Sequence, residues 1–380
     1  MGVMVSTVKH YYDLAMTAII RPPRQRVDES AFLGARHFDV TNEKGETIRC
    51  TWWRPDVPTT RCLVFLHGNS SSRGAVSQIL AHAVISGVSV LAFDFSGSGE
   101  SEGDYVSLGY FETDDLRAVI RHMRSFTEVT EIALWGHSMG AVVALMYAHE
   151  DTNIVAAICD SPFYNLKRLA SDISGVHRCL LWPCVEVIRA EVRRRARFDI
   201  LAVNPALIVG DTHVPIWFIH GDQDELIPPE HSIDLHRKYA GDKHITIFPG
   251  DHNSPRPTEI IRRSMDFIVR RFNHTTQGRL DDIQRGDRRD VGGIRTLQTT
   301  NPLKRPWDQS ADVGAGPRKR LAIQHEETKM PQRDLARLET KTTRDHADEP
   351  LRATARRRVD REETTTNRET VVIAQTRENF

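Results

Sequence analysis

Short apolar runs alternate with helical patterns along the first 274 residues of the chain. The runs "RCLVFLHG" (61–68), "VSVLAFD" (88–94), "EIALWG" (131–136), "IVAAICD" (154–160), "VPIWFIHG" (214–221) and "HITIFPG" (244–250) each read as a strand that gives way to a turn. They are continuously apolar rather than alternating, as strands of a parallel sheet covered on both faces are. Helical spacings fall between them at Ala75–Ser86, Phe111–Phe126, Met139–His149, Glu230–Ala240 and Thr258–Arg271. Upstream, "RHFDVTN" and "TIRCTWW" read as an antiparallel pair at the sheet edge. This alternation predicts an α/β fold with one doubly wound, mostly parallel sheet.

Two segments break the rhythm. Residues 163–207 hold no convincing strand, and Val185, Ile188, Val192 and Ala196 recur at helical spacing with arginines on the opposite face. That predicts a helical lid inserted after the strand 154–160. From residue 275 to 380 only Trp307 and Phe380 are aromatic, and Arg, Asp, Glu, Thr and Gln dominate. Such a composition buries too little apolar surface to offset its ordering entropy, so a long disordered tail is expected. The organisation is then an N-terminal helix and basic lead-in over 1–35, a folded domain over 36–274 and a charged tail over 275–380.

Lys+Arg and Asp+Glu balance at 51 each, so no global charge draws the chain toward nucleic acid or membrane. Five cysteines, an odd and sparse set, fit a reducing compartment better than a disulfide framework, and none has histidine partners at zinc-ligand spacing. No uninterrupted run reaches the roughly 18 apolar residues of a membrane helix. Lys9, His10 and Asp13 interrupt the N-terminal apolar stretch and spoil a secretory signal as well. The expected setting is the cytoplasm.

The chemistry concentrates in "LWGHSMGAV" (134–142), which contains G-x-S-x-G directly after a strand pattern and directly before a helix pattern. That context delivers Ser138 into a tight strand-to-helix turn, where Gly136 and Gly140 let neighbouring backbones pack closely. A serine hydroxyl needs a base, and the base an orienting carboxylate, in the chain order serine, acid, histidine. "IHGDQDELIPP" offers Asp222 and Asp224, and "FPGDHNSPRP" offers His252. Asp224 is preferred because it lies deeper in its loop, before Leu226 and Ile227; Asp222 is the runner-up and Asp160 a distant third. His67, His137, His220 and His244 sit in or beside strands and read as structural. The oxyanion donors expected are the amide of Met139, at a helix N-terminus, and that of Asn69 in "FLHGNSSS".

Taken together, "HGN" (67–69), "FDFSGSGES" (93–101), "GHSMG" (136–140), "HGDQDELIP" (220–228) and "GDHN" (250–253) resemble the landmarks of the alpha/beta-hydrolase superfamily over roughly residues 36–272. The "RPPR" lead-in and the "HN-x-x-RP" ending are similar to the serine aminopeptidase-like and prolyl-oligopeptidase-related branch, which includes the alpha/beta-hydrolase-domain depalmitoylases. The resemblance implies a Ser138–Asp224–His252 triad, hydrolysis of an ester, thioester or amide through an acyl-enzyme, and no metal or organic cofactor. The substrate expected is a small molecule or a lipid acyl group. Depalmitoylases carry an N-terminal cysteine cluster, whereas the first cysteine here is Cys50.

"MGVMVS" instead fits the M-G-x-x-x-[ST] pattern for myristoylation of Gly2, a weak anchor that wants a second signal for peripheral membrane contact. Val5, Val8, Tyr12, Ala15 and Ile19 at helical spacing, with the basic "IIRPPRQR", offer one; alternatively this helix packs on the folded domain. The tail's "KRPWDQSADVGAGPRKR" has bipartite nuclear-signal spacing, a reading set below the membrane-peripheral one. Nucleic-acid binding finds no further support, and no partner for the tail is legible. Three functions compete: an acyl ester or thioester hydrolase, an aminopeptidase-like serine peptidase, and a non-catalytic scaffold. The lid's few acidic residues among many arginines favour the first.

Overall fold

In the computed structural model, residues 19–27, 32, 34–174 and 178–284 are described. Eight strands form one sheet: β1 (Arg36–Thr41), β2 (Thr47–Trp53), β3 (Arg61–Leu66), β4 (Ser89–Phe93), β5 (Glu131–His137), β6 (Ile154–Asp160), β7 (Ile216–Gly221) and β8 (Lys243–Phe248). Their spatial order is β1-β2-β4-β3-β5-β6-β7-β8. β1 and β2 are antiparallel at the edge, and β3 to β8 run parallel. The helices are α1 (Ser77–Ile85), α2 (Tyr110–Ser125), α3 (Met139–Glu150), α4 (Leu166–Ser174), α5 (Arg178–Ala196), α6 (Glu230–Lys238) and α7 (Thr258–Gln284).

The apolar runs are continuous because each face of the sheet has its own core. Val64, Leu134, Ala157 and Phe218 point to one side, where α2, α3 and α6 pack. Phe65, Trp135, Ile158 and Ile219 point to the other, against α1 and α7. Two cores mean that strand residues of either parity must be apolar, so the period-two signal vanishes from the sequence. The edge pair β1 and β2, open on part of its surface, keeps it.

The domain reaches beyond the limits that composition suggested. Helix α7 was expected to stop at Arg271 and instead runs to Gln284; Thr276 donates to the Phe272 carbonyl and lies 3.4 Å from the Glu131 carboxylate. At the other end, Ile20 is buried with Val192, Ala196, Phe198 and Ile200, and its carbonyl accepts the Val106 amide at 2.8 Å. Arg24 donates to the Ser101 carbonyl at 2.5 Å and to that of Gly103. The visible end of the basic lead-in therefore packs on the folded unit. Gly2, the helical spacing from Val5 to Ala15 and the tail from 285 onward lie outside the described residues.

The insertion between β6 and β7 is helical, as its spacing predicts. Val192 and Ala196 of α5 are buried against Tyr110 and Phe111 at the start of α2. The arginines on the outer face of α5 are largely committed. Arg189 and Arg193 bond Asp199, and Arg194 and Arg195 bond Glu191. Among the described residues no helix is long and apolar enough to cross a membrane.

One buried charge cluster ties the loop after β3 to the loop after β4. Arg73 is 1% exposed and pairs with the fully buried Asp94; its Nε donates to Thr51 at 3.1 Å and its Nη2 to Glu100 at 2.5 Å. Asp94 also accepts the backbone amides of Arg73 and Glu100 at 2.6 and 2.9 Å. Breaking such a pair strands a charge in the core. Arg73→Met should lower unfolding stability by about 3–5 kcal/mol in urea titrations, more than a surface pair such as Arg49–Asp39 would cost.

Candidate active site

β5 ends on His137, and Ser138 follows with φ 55° and ψ −117°, a left-handed conformation that a non-glycine residue adopts at a cost of about 1–3 kcal/mol. The surroundings over-determine it. The Ser138 amide donates to the Asp160 carbonyl at 2.8 Å, and its carbonyl accepts Ala141 and Val142 as α3 begins. A Cβ on Gly136 would lie 2.2 Å from the Gly140 carbonyl oxygen, and one on Gly140 would lie 2.1 Å from that of Leu66. Only hydrogen at both positions lets β5, α3 and the end of β3 converge this closely.

The loop after β8 brings His252 over the serine, with its Nε2 3.0 Å from the Ser138 hydroxyl. Its Nδ1 lies 2.7 Å from Asp224 Oδ2, on the loop after β7. The other Asp224 oxygen accepts the amides of Leu226 and Ile227 at 3.1 and 2.8 Å. Burial works against a charge on Asp224, but hydrogen bonds from His220, His252 and the Ile227 amide outweigh it and hold the carboxyl below the usual range. An ionised Asp224 can only accept, so His252 carries its proton on Nδ1 and leaves Nε2 free to accept from Ser138. The three side chains form one hydrogen-bonded line.

The remaining candidates have other partners. Asp222 accepts the Gly250 amide at 3.1 Å and so links the two loops. Asp160 faces Arg256, with contacts of 2.8 and 2.9 Å between largely buried side chains. Asn69 turns its side-chain oxygen onto the Ser70 amide at 3.0 Å, where Ser70 has φ 56°; its side chain shapes the turn. Met139 is buried at the start of α3.

The histidines set aside as structural do have partners in the frame. His67 is fully buried; its Nε2 accepts the Phe95 amide at 3.1 Å and its Nδ1 donates to Gly68 at 2.7 Å. His220 Nε2 donates to the Ile227 carbonyl at 2.7 Å and lies 3.2 Å from Asp224. His137 donates from Nε2 to the His252 carbonyl at 3.1 Å, and burial above all pulls its pKa down to about 4. His244, exposed, packs on Trp217 and Phe267. Sequence reasoning missed Arg256 and the support His220 lends to Asp224, since "HN-x-x-RP" served only as a landmark.

Ser138 and His252 open into a cleft of about 520 Å³. Its walls include Gln25 of the lead-in, Asn69, Gln78 and Ile79 of α1, and Leu226 and Asn253. No described residue of the 163–207 insertion lines it; the described wall comes from the lead-in, α1 and the strand-end loops. Arg256 and Asp160 at its base neutralise one another, and burial keeps His137 uncharged near neutral pH. Among the described residues, no group of three or more His, Cys, Asp or Glu is placed to hold a metal ion.

Comparison with known proteins agrees with this architecture. Residues 58–208 match the family model described as serine aminopeptidase, S33. The uncharacterized protein YqkD of Bacillus subtilis is 31% identical over 198 residues, covering 50% of this chain and 65% of that protein. The lysophosphatidylserine lipase ABHD12 of Danio rerio is 28% identical over 184 residues, covering 44% of each. The chain thus spans less than two thirds of the length of these two curated relatives. Among solved structures, the Pyrococcus furiosus esterase Pf2001 superposes with a TM-score of 0.54 at 21% identity, covering 66% of this chain and 98% of its own. Acetyl xylan esterase 1 from Thermoanaerobacterium superposes at 0.52 with 17% identity, covering 70% and 93%. The chain has the alpha/beta-hydrolase fold.

A methyl group at Gly140 would press on the Leu66 carbonyl, which nothing flexible can relieve. Gly140→Ala should therefore lower the thermal midpoint by several degrees, on the order of 1–3 kcal/mol for an overpacked core site. An unchanged melting curve would show that the turn has slack.

Proposed function

We propose that this alpha/beta-hydrolase chain is a serine hydrolase that cleaves an acyl ester or thioester through an acyl-enzyme on Ser138. The hydrogen-bonded line from Ser138 through His252 to Asp224, at 3.0 and 2.7 Å, carries this reading. Ser138 Oγ attacks the acyl carbon while His252 Nε2 takes its proton. His252 then returns that proton to the departing alkoxide or thiolate as the carbonyl–leaving-group bond breaks. Water repeats the sequence on the acyl-enzyme, with His252 again the base, and restores the serine. Asp224 holds the imidazole in the required tautomer and stabilises the imidazolium. The amides of Met139 and Asn69 are the proposed oxyanion donors, each worth about 10²–10³ in kcat by comparison with known oxyanion holes.

The cleft favours an uncharged group around the scissile bond. A peptidase that selects a free amino terminus needs an unpaired carboxylate at its pocket, and among the described residues the only carboxylate lining this one, Asp160, is paired with Arg256. The name of one relative, lysophosphatidylserine lipase, puts lipid esters among the substrates to test. Any anionic headgroup would have to be met outside the described lining, since Arg256 is likewise taken.

A fluorophosphonate probe should label the wild-type chain and not Ser138→Ala, and that substitution should cut kcat on a nitrophenyl ester by about 10⁶. Asp224→Asn should cost about 10⁴ through the wrong imidazole tautomer, while Asp222→Asn stays within a few-fold. Absence of labelling in the wild type would overturn the enzyme reading. Faster turnover of aminoacyl amides than of acyl esters would transfer the assignment to a peptidase.

A further inference from the structure

The distance between nucleophile and base is a tertiary quantity, because Ser138 follows β5 and His252 follows β8, with β6 and β7 between them in the sheet. One residue, Asp160, links the two segments through Arg256. The backbone carbonyl of Asp160, at the end of β6, accepts the Ser138 amide at 2.8 Å. The carboxylate of the same residue accepts Arg256 Nε at 2.8 Å and Nη2 at 2.9 Å. Arg256 passes the constraint on: Nη2 also donates to the His252 carbonyl at 3.0 Å, and Nη1 to the Ser254 carbonyl at 2.6 Å. His137, the residue before the nucleophile, meets the His252 carbonyl from the other side at 3.1 Å.

Resting on the serine hydrolase reading above, we propose that Asp160 and Arg256 act as a positioning pair that sets the separation of Ser138 and His252. Neither reaches Oγ or the imidazole ring, so neither takes part in bond making. Both side chains are only 4% exposed, and the guanidinium also lies over the Phe248 ring, 5.3 Å from its centre. Burial opposes charge on each, yet the Arg256 charge holds the Asp160 carboxyl below its ordinary range. A mere neutral filler would avoid that desolvation cost, which points to geometric precision as the reason for an ion pair here. The planar fork matters as much as the charge. Three nitrogens of fixed geometry serve two carboxylate oxygens and two carbonyls at once, which a lysine ammonium cannot do.

Arg256→Lys tests this best, because the buried Asp160 keeps a cation beside it. The variant should retain a full fluorophosphonate active-site titre and a KM within about 3-fold, with kcat per titrated site down by about 10²-fold, the cost of a misplacement near 1 Å. Asp160→Asn, which leaves the carbonyl bonded to Ser138 in place, should show the same split with a smaller loss. If kcat per titrated site is unchanged in both folded variants, the pair is structural only and the proposal falls. If activity and titre fall together in both, their role is in folding and the proposal also falls. A wild-type chain that no fluorophosphonate labels would overturn the parent reading as well, so the two failures are distinguishable.

Discussion

The left-handed backbone at Ser138 is the constraint around which this domain is arranged. A polar residue held at φ 55° between a strand and a helix is unfavourable in isolation. It persists because β5 is an interior strand, hydrogen-bonded to β3 and β6, while α3 is buried along almost its whole length. The turn has nowhere to relax. The bare backbones of Gly136 and Gly140 press against their neighbours at distances no Cβ would allow, so the turn, the sheet and the helix stand or fall together. The turn sets Ser138 in the lining of the cleft at the carboxyl edge of the sheet.

Loops hold the other partners, and buried polar contacts do for them what the sheet does for the serine. Arg73 and Asp94 bind the loop after β3 to the loop after β4, and His67 bridges the same two loops through the Phe95 amide and the Gly68 carbonyl. Asp222 fastens the loop after β7 to Gly250, and Arg256 fastens the loop of His252 to β6. These groups are costly to bury and worth burying only when nearly every donor and acceptor is met. Their concentration at one edge of the sheet is what a precise constellation on loops requires.

The balanced composition hides how local the charge is. Arginines that look like a basic face in the sequence of α5 are partnered by Asp199, Glu191 and Glu186, within a turn or just past the helix end. Arg24 of the lead-in spends its guanidinium on loop carbonyls. An arginine count along a helix therefore says little about affinity for an anionic surface until the acidic neighbours are placed. The same holds at the cleft base, where Asp160 and Arg256 cancel.

Much of the fold and of the site was legible in the linear chain, because the signals involved are local. Continuous apolar runs mark strands covered on both faces, and a G-x-S-x-G between a strand and a helix marks a turn that tolerates no Cβ at its glycines. The order serine, acid, histidine follows from topology alone, and the choice of Asp224 over Asp222 rested on depth in one loop. What the chain could not reveal depends on which loops meet. Asp160 was weighed as a free acid because its partner lies 96 residues away. Helix α7 was cut short because polar residues after Arg271 resemble a tail until Glu131 lies beside them. Which segments line the cleft was not legible either: Gln25, α1 and the strand-end loops supply the described lining. Sequence by itself determined the elements and the candidate side chains of the site, since local periodicity and turn sterics act within a few residues. Tertiary structure alone decided how far apart those groups stand and which charges remain unpaired, since both depend on contacts between segments far apart in the chain.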